Sequence, residues 1–357
     1  MFGVRSVFTA KRLSSSFLPR PSSFLALFAW LVFASLALAA DNPKSRVFVV
    51  QDLDAIQNFD PDAHRVKQLV ARGILAATGT QQPADAWRPF AGPKDVVGIK
   101  IVARGGSLFS VHKDLVAAIV DGLKVAGVPE NNIIIWDKYQ SDLIEAGWKL
   151  NDSGNGVRVV GVIPGIGFDP EVKYHSSIAG KIIWGDYLFG NKEEEISGDS
   201  HMARIVTQKI TKLIDVSVLC HDLTAGLSGC LWNVAMGSVD NIRRFQNDAS
   251  AAEFAIPDIC AMPELRDKMV LHIMDGLLGQ YALGPYFHPQ YTWHHGAIYF
   301  STDPVALDTV ALTEIEAQRK RVGFPLVEEK AKYIQAAVNG GLGNSDLKKI
   351  DVVKIPR

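Results

Sequence analysis

Two kinds of hydrophobic pattern alternate along this chain. One is the short continuous apolar run: Arg46–Val50, Val96–Ile101, Ile133–Trp136, Val157–Val162, Val216–Leu219, Val270–Met274, Ala297–Ser301 and Ile350–Ile355. Each is too short for a buried helix, which predicts strands, most of them covered on both faces. The other pattern recurs every three or four residues. Val66, Leu69, Val70 and Ile74 predict a helix that opens at Asp60-Pro61-Asp62, with Pro61 in its first position, and runs to about Ala76. Leu115, Val116, Ile119, Val120 and Leu123 predict another over His112–Ala126, with Gly127 just past its end. Asp303-Pro304 opens a helix that reaches about Arg321, and Asn339-Gly340-Gly341 stops one over Val327–Val338. Met202, Ile205, Val206, Ile210 and Leu213 also have helical spacing, within Ser200–Ile214. Gly79–Lys94, Pro164–Pro170 and the aromatic Leu283–Trp293 read as connections, Asn241–Pro263 as a polar, loop-rich stretch with room for a short helix, and Lys192–Glu195 as a solvated face or loop.

The order strand, loop, helix, strand from Val96 to Trp136 predicts a crossover between parallel strands. The expected fold is therefore α/β: a mostly parallel or mixed central sheet flanked by helices, in one compact domain. Residues 41–95 supply an N-terminal strand, a helix and a Pro-rich connection, and residues 96–357 supply the main α/β region.

Composition changes the picture at the N-terminus. The chain of 357 residues is 48% hydrophobic and 21% charged, ordinary for a globular protein with a substantial core. Residues 1–40 differ. They carry Arg5, Lys11, Arg12 and Arg20, no acidic residue, and an apolar run from Phe24 that closes in Ala37-Leu38-Ala39-Ala40. This is the layout of a secretory signal peptide and predicts a periplasmic or extracellular protein, with an uncleaved membrane anchor as the alternative. Residues 1–40 hold four of the 37 basic residues and none of the 38 acidic ones, so the rest of the chain is net acidic by about five charges. With no basic stripe and no second long apolar run, neither nucleic acid nor a membrane beyond the N-terminal segment is an expected partner. Cys220, Cys230 and Cys260 include no Cys-x-x-Cys and are too few for an ordinary four-cysteine iron–sulfur site. They read as buried thiols, with a Cys220–Cys230 disulfide as the alternative that export permits.

Candidate chemistry gathers where apolar strands end. Lys100 and Arg104 lie at or after one strand, Asp137 after the next, Cys220-His221-Asp222 after a third and Asp275 after a fourth. Parallel strands would bring these ends to one edge of the sheet, where such folds bind ligands. The expectation is a crevice shared by Lys100, Asp275 and either His221 or Asp222. Asp308 places a carboxylate on an apolar helical face, either joining the site or satisfying backbone groups. Gly105-Gly106-Ser107 lacks the P-loop ending and GxGxxG spacing, so it is a weak phosphate signal. His288, His294-His295 and His221-Asp222 offer metal-ligand atoms without a metal-ligand spacing, so no metal ligands are assigned; His272 reads as a core histidine. No GxSxG elbow supports a serine hydrolase.

VGIK at Val97–Lys100, HKDLVAAIVDGLKVAGVPENNIIIWD and VSVLCHDLTAGLSGCLWNVAMG resemble the family named domain of unknown function 362. So do DGLLGQYALGP at Asp275–Pro285, STDPVALD at Ser301–Asp308 and the late GGLG at Gly340–Gly343. The resemblance spans about Val96 to Ile355. It implies an α/β domain, often exported and in some relatives joined to ferredoxin-type modules, with no settled activity or cofactor. Lys100, Asn233, Asp275, Asp303 and Asp308 match its pattern. Three positions depart from it. Val102 stands where relatives carry Asn, Cys220-His221-Asp222 where they carry Lys-x-His, and Trp232-Asn233 where they carry Lys-Asn.

These readings converge on an exported protein with a small polar or anionic ligand at the strand ends. As an enzyme it would use Lys100 as an electrostatic clamp, His221 as acid and base, and Asp222 and Asp275 as orienters, with Arg104, Asp137, Asn233, Asp303 and Asp308 around the ligand. The rivals are a ligand-binding or envelope-associated protein without turnover, and a metal-binding protein.

Overall fold

The structure, a computed structural model, describes residues 44–176, 182–183 and 196–356. The expected signal peptide, residues 1–40, and the Lys192–Glu195 cluster lie outside the described residues. The main strands are β1 (Ser45–Gln51), β2 (Val97–Ile101), β3 (Ile133–Tyr139), β4 (Arg158–Ile163), β5 (Phe168–His175), β6 (Asp199–Ala203), β7 (Lys212–Asp222), β8 (Gly226–Leu227), β9 (Met269–Gln280), β10 (Thr292–Ser301) and β11 (Ile350–Ile355). The main helices are α1 (Ala63–Thr78), α2 (Lys113–Val125), α3 (Gln140–Glu145), α4 (Cys230–Ser238), α5 (Ala249–Ala261), α6 (Pro304–Arg321) and α7 (Lys332–Asn339).

The central sheet has the order β11-β1-β10-β9-β7-β2-β3-β4, with β8 hairpinned onto β7. The neighbours β9, β7, β2, β3 and β4 are all parallel, and β10 runs antiparallel to β9 and β1. The mixed, mainly parallel α/β sheet of the sequence reading is what forms. Its two faces are covered by different helices. Val97, Ile99, Ile101, Ile214, Val216 and Ile273 pack with α1 and α2. Trp136, Leu213, Leu219 and Met274 pack with α4, α5, α6 and α7.

The helix starts follow local chemistry. The Asp62 carboxylate accepts from the Arg65 N–H at 3.0 Å, so α1 begins just after Pro61 rather than at it. Gly79 ends that helix in the left-handed region at φ 68°. Asp303 caps α6, with Pro304 in the first turn as expected.

Several segments differ from the sequence reading; the helix expected over Val327–Val338, for one, begins only at Lys332. Ser200 and Met202 are buried while Asp199 and His201 are only partly so, a period of two that makes β6 a strand paired antiparallel with β5. The helical spacing there survives only as a single π-type turn, Ile205–Lys209. Asn241–Pro263 contains the 13-residue α5, capped by Asp248 and buried along Ala251, Ala252, Ala255, Ile256 and Ile259. The β7 strand also runs on through Cys220-His221-Asp222, because His221 and Asp222 pair with β8.

Candidate functional site

Lys100 is the middle of the site. In β2 it lies beside Trp136 of β3 and Asp215 of β7, and Asp215 in turn lies beside His272 of β9. Alternation along each strand sends these side chains to the α4 face, one residue out of phase with the isoleucines of the α1–α2 face. Lys100 is 2% exposed. Its Nζ donates to the Ile101 carbonyl at 2.7 Å, to Asp137 Oδ1 at 2.8 Å and to Asn233 Oδ1 at 2.7 Å. An ammonium has three N–H donors, so all are taken. The chain of bonds continues: Asn233 Nδ2 donates to Asp215 Oδ1 at 2.6 Å, and Asp215 Oδ2 lies 3.1 Å from His272 Nδ1. Helix α4 lies close against Lys100 because Gly237 has no side chain: a Cβ there would sit 2.0 Å from Lys100 Cε.

Above Lys100 lies a crevice of about 40 Å³, room for a few water-sized groups. Lys100, Val102 and Arg104 line it from the end of β2, Asp137, Lys138 and Tyr139 from the end of β3, and Trp232, Asn233, Met236 and Gly237 from α4. Asp142 of α3, Ile242 and Pro285 complete its wall. The Arg104 guanidinium lies 5.5 Å from the Tyr139 ring and 5.7 Å from the Tyr286 ring, and its Nε is 3.5 Å from Asp142. Burial, then the nearby Asp137, raises the Asp142 carboxyl above its ordinary pKa despite Arg104. Three cationic side chains, Lys100, Arg104 and Lys138, thus face two carboxylates, one of them disfavoured as an anion.

The other residues singled out in the sequence sit elsewhere. Asp275 is buried, but alternation along β9 turns it to the α2 face. There it accepts from the His112 N–H at 2.8 Å and pairs with His112 Nδ1 at 2.7 Å. Its role is to hold the start of α2, and it does not line the crevice with Lys100. His221 and Asp222 also lie off the crevice, carried past it by the extended β7. Burial, then Arg319 and Lys330, lowers the His221 pKa to about 3, so the ring stays neutral at neutral pH and cannot exchange a proton there as expected. Asp222 accepts from the Thr224 and Ala225 N–H groups at 2.9 and 2.7 Å, shaping the turn into β8. Asp303 accepts from Ser45 Oγ, the Ala306 N–H and the Asn344 N–H, joining three distant segments. Asp308 accepts from the Cys230 and Leu231 N–H groups at 2.6 and 3.1 Å, and from Tyr333. It therefore caps α4, with burial pushing its pKa up to about 7.

Sequence reasoning thus placed Lys100, Arg104, Asp137 and Asn233 together and missed Asp142, Lys138, Tyr139 and Asp215. Asp215 had a signal: it is a charge immediately before the apolar run Val216–Leu219. Asp142 had none, because a short helix after β3 gives no pattern. The three cysteines are free and buried, so the Cys220–Cys230 disulfide does not form. A larger groove of about 470 Å³ lies between α1 and α2, lined by Val70, Ile74, Leu75, Trp87, Ala118 and Val125 among others. Its rim charges Lys67 and Asp121 pair with each other at 2.6 Å, so it lacks the converging polar groups of the crevice. Among the described residues no helix is long and apolar enough to cross a membrane.

No curated protein matches this chain. Among solved structures, a protein from Thermotoga maritima is similar at 10% identity with a TM-score of 0.40, over 80% of this chain and 60% of that one. This chain thus spans less than two thirds of that protein. Val102 and Trp232 line the crevice and give it apolar wall. The model of the family described as domain of unknown function (DUF362) matches residues 97–313, which hold Lys100, Arg104, Asp137, Asp142 and Asn233, and the chain belongs to that family.

Proposed function

We propose that the protein binds a small anion, or the anionic head of a larger molecule, in the crevice at the ends of β2 and β3. The observation that carries this reading is the setting of Arg104. A guanidinium has five N–H donors in a rigid fork that fits carboxylate and phosphate oxygens. Here it is held between two tyrosine rings, 20% exposed, with one long contact to Asp142, so most of the fork is left for a ligand. Lys100 takes a different part from the clamp first expected. Its donors are occupied, so it fixes Asp137 and Asn233 as the floor and adds positive potential beneath. Turnover is a second reading, favoured by Asp142, a carboxyl with a raised pKa beside Arg104.

The test is a thermal-shift series on the full chain with acetate, oxalate, phosphate and sulfate, each paired with a neutral analogue. A ligand that binds only the folded state raises the melting temperature. The reading expects stabilisation by one or more anions, none by the neutral analogues, and loss of the effect in Arg104→Gln. Equal shifts in wild type and Arg104→Gln contradict it. Export belongs to the same proposal, on the strength of the basic and then apolar residues 1–40. N-terminal sequencing of exported protein should find a start at Ala40 or Asp41, and retention of Phe24–Ala39 in a membrane fraction would show an anchor.

A further inference from the structure

Below the crevice floor the polar row continues into a place where three different ligand atoms meet. Asp215, Cys230 and His272 are each wholly or almost wholly buried, and a carboxylate oxygen, the Sγ and a ring nitrogen of the three lie within 4.8 Å of one another; Asp215 Oδ2 and His272 Nδ1 are 3.1 Å apart. Neighbouring parallel strands supply Asp215 and His272 in register, and the first residue of α4 brings Cys230 down onto them. Ser217, two residues along β7 on the same face as Asp215, places its Oγ 3.3 Å from Cys230 Sγ.

We propose that Asp215, Cys230 and His272 form a binding site for a divalent transition-metal ion of the zinc class, with Ser217 or a water as fourth ligand. The reading goes beyond anion binding in the crevice and does not depend on it. The donor set of one carboxylate oxygen, one imidazole nitrogen and one thiolate is the borderline mixture that suits zinc and its congeners, and excludes calcium and magnesium as preferred ions. Bond lengths of about 2.0–2.3 Å fit between atoms at these separations after small side-chain rotations. The outer contacts are those of a metal site. Asn233 Nδ2 holds Asp215 Oδ1 at 2.6 Å, leaving Oδ2 for the ion. Asp308 fixes the backbone of Cys230 through a 2.6 Å bond from its N–H.

Loading balances as one ion in and one proton out. Sγ gives up its proton to form the metal–sulfur bond, and the His272 proton moves to Nε2 so that Nδ1 can bind. Asn233 links the site to the crevice floor, since it lines the crevice and bonds Asp215.

The experiment uses the full chain, stripped with a chelator and titrated with cobalt(II). The expected result is one cobalt per chain, intense tetrahedral visible bands and a sulfur-to-cobalt charge-transfer band in the near ultraviolet, all displaced by zinc. Cys230→Ser and His272→Gln should lose the charge-transfer band or at least tenfold in affinity, while Cys220→Ser and Cys260→Ser retain both. Folded wild type that takes up no cobalt, or takes it up without a charge-transfer band, overturns the proposal, and this arm needs no variant to fold. A band that persists in Cys230→Ser and vanishes in Cys260→Ser overturns it as well.

Discussion

The two faces of the central sheet use the same strands differently. On one, Ile99, Ile101, Ile214, Val216 and Ile273 meet the apolar stripes of α1 and α2. On the other, one residue out of phase, Lys100, Asp215 and His272 run in a row across three adjacent strands beneath α4. The first face is held by burial, roughly 25 cal/mol for each Å² of apolar surface removed from water, and tolerates small changes of shape. The second is also buried and apolar at Trp136, Leu213, Leu219 and Met274, but through it runs a continuous set of hydrogen bonds in which each polar atom depends on the next, so one loss leaves a partner stranded. Both faces stabilise the sheet by apolar burial, and only the second carries the polar row.

The largest effect that would break this comparison is at Lys100. Lys100→Met keeps the length of the side chain but strands Asp137 and Asn233, and should destabilise by about 3–5 kcal/mol in urea unfolding. Adding Asp137→Asn should recover part of the loss. A single variant as stable as wild type would mean that the row is not coupled.

Next comes Asp308→Ala, which leaves the buried Cys230 and Leu231 N–H groups without an acceptor and should cost about 1–3 kcal/mol by the same measurement. Asp308→Asn keeps an acceptor and should lose less.

His221, on the same face as Leu219, gives a pH signature. Its pKa is lowered to about 3 in the folded chain, while an unfolded histidine titrates near 6.5. Between these values the unfolded state holds the extra proton, so stability is full above pH 6.5 and falls as pH drops towards 3. The expected slope is on the order of 1 kcal/mol per pH unit, and it should flatten in His221→Gln.

The smallest effect belongs to the apolar face. Ile119→Val in α2 should lose about 0.5–1.5 kcal/mol and leave anion binding unchanged. A change in binding would join the two faces.

The contrast also explains what could be read from the sequence. The apolar face was legible because its signal is periodic: Leu115, Val116, Ile119 and Leu123 announce α2, and the isoleucine runs announce the strands. Lys100, Arg104 and Asp137 were legible as polar groups at the ends of those runs, and Asn233 as a match to the family pattern. The error lay in pooling Asp275 and His221 with them. Proximity to a strand end does not specify a face, and Asp275 is out of phase with Lys100 by the β9 alternation. His221 went astray because two β8 residues extend β7 beyond its apolar run. Asp142 and Tyr139 come together with Arg104 only through the turn from β3 into α3, which no spacing encodes.

The central claim is that Arg104 reaches the ligand while Lys100, its donors occupied, builds the floor. Calorimetric titration of the best-stabilising anion into wild type, Arg104→Gln and the Lys100→Met/Asp137→Asn pair tests it directly. The account predicts at least a tenfold loss of affinity in Arg104→Gln and a change of no more than about threefold in the paired variant, about 1.4 against 0.6 kcal/mol. Full affinity in Arg104→Gln, with binding abolished in a folded Lys100→Met/Asp137→Asn protein, would contradict it.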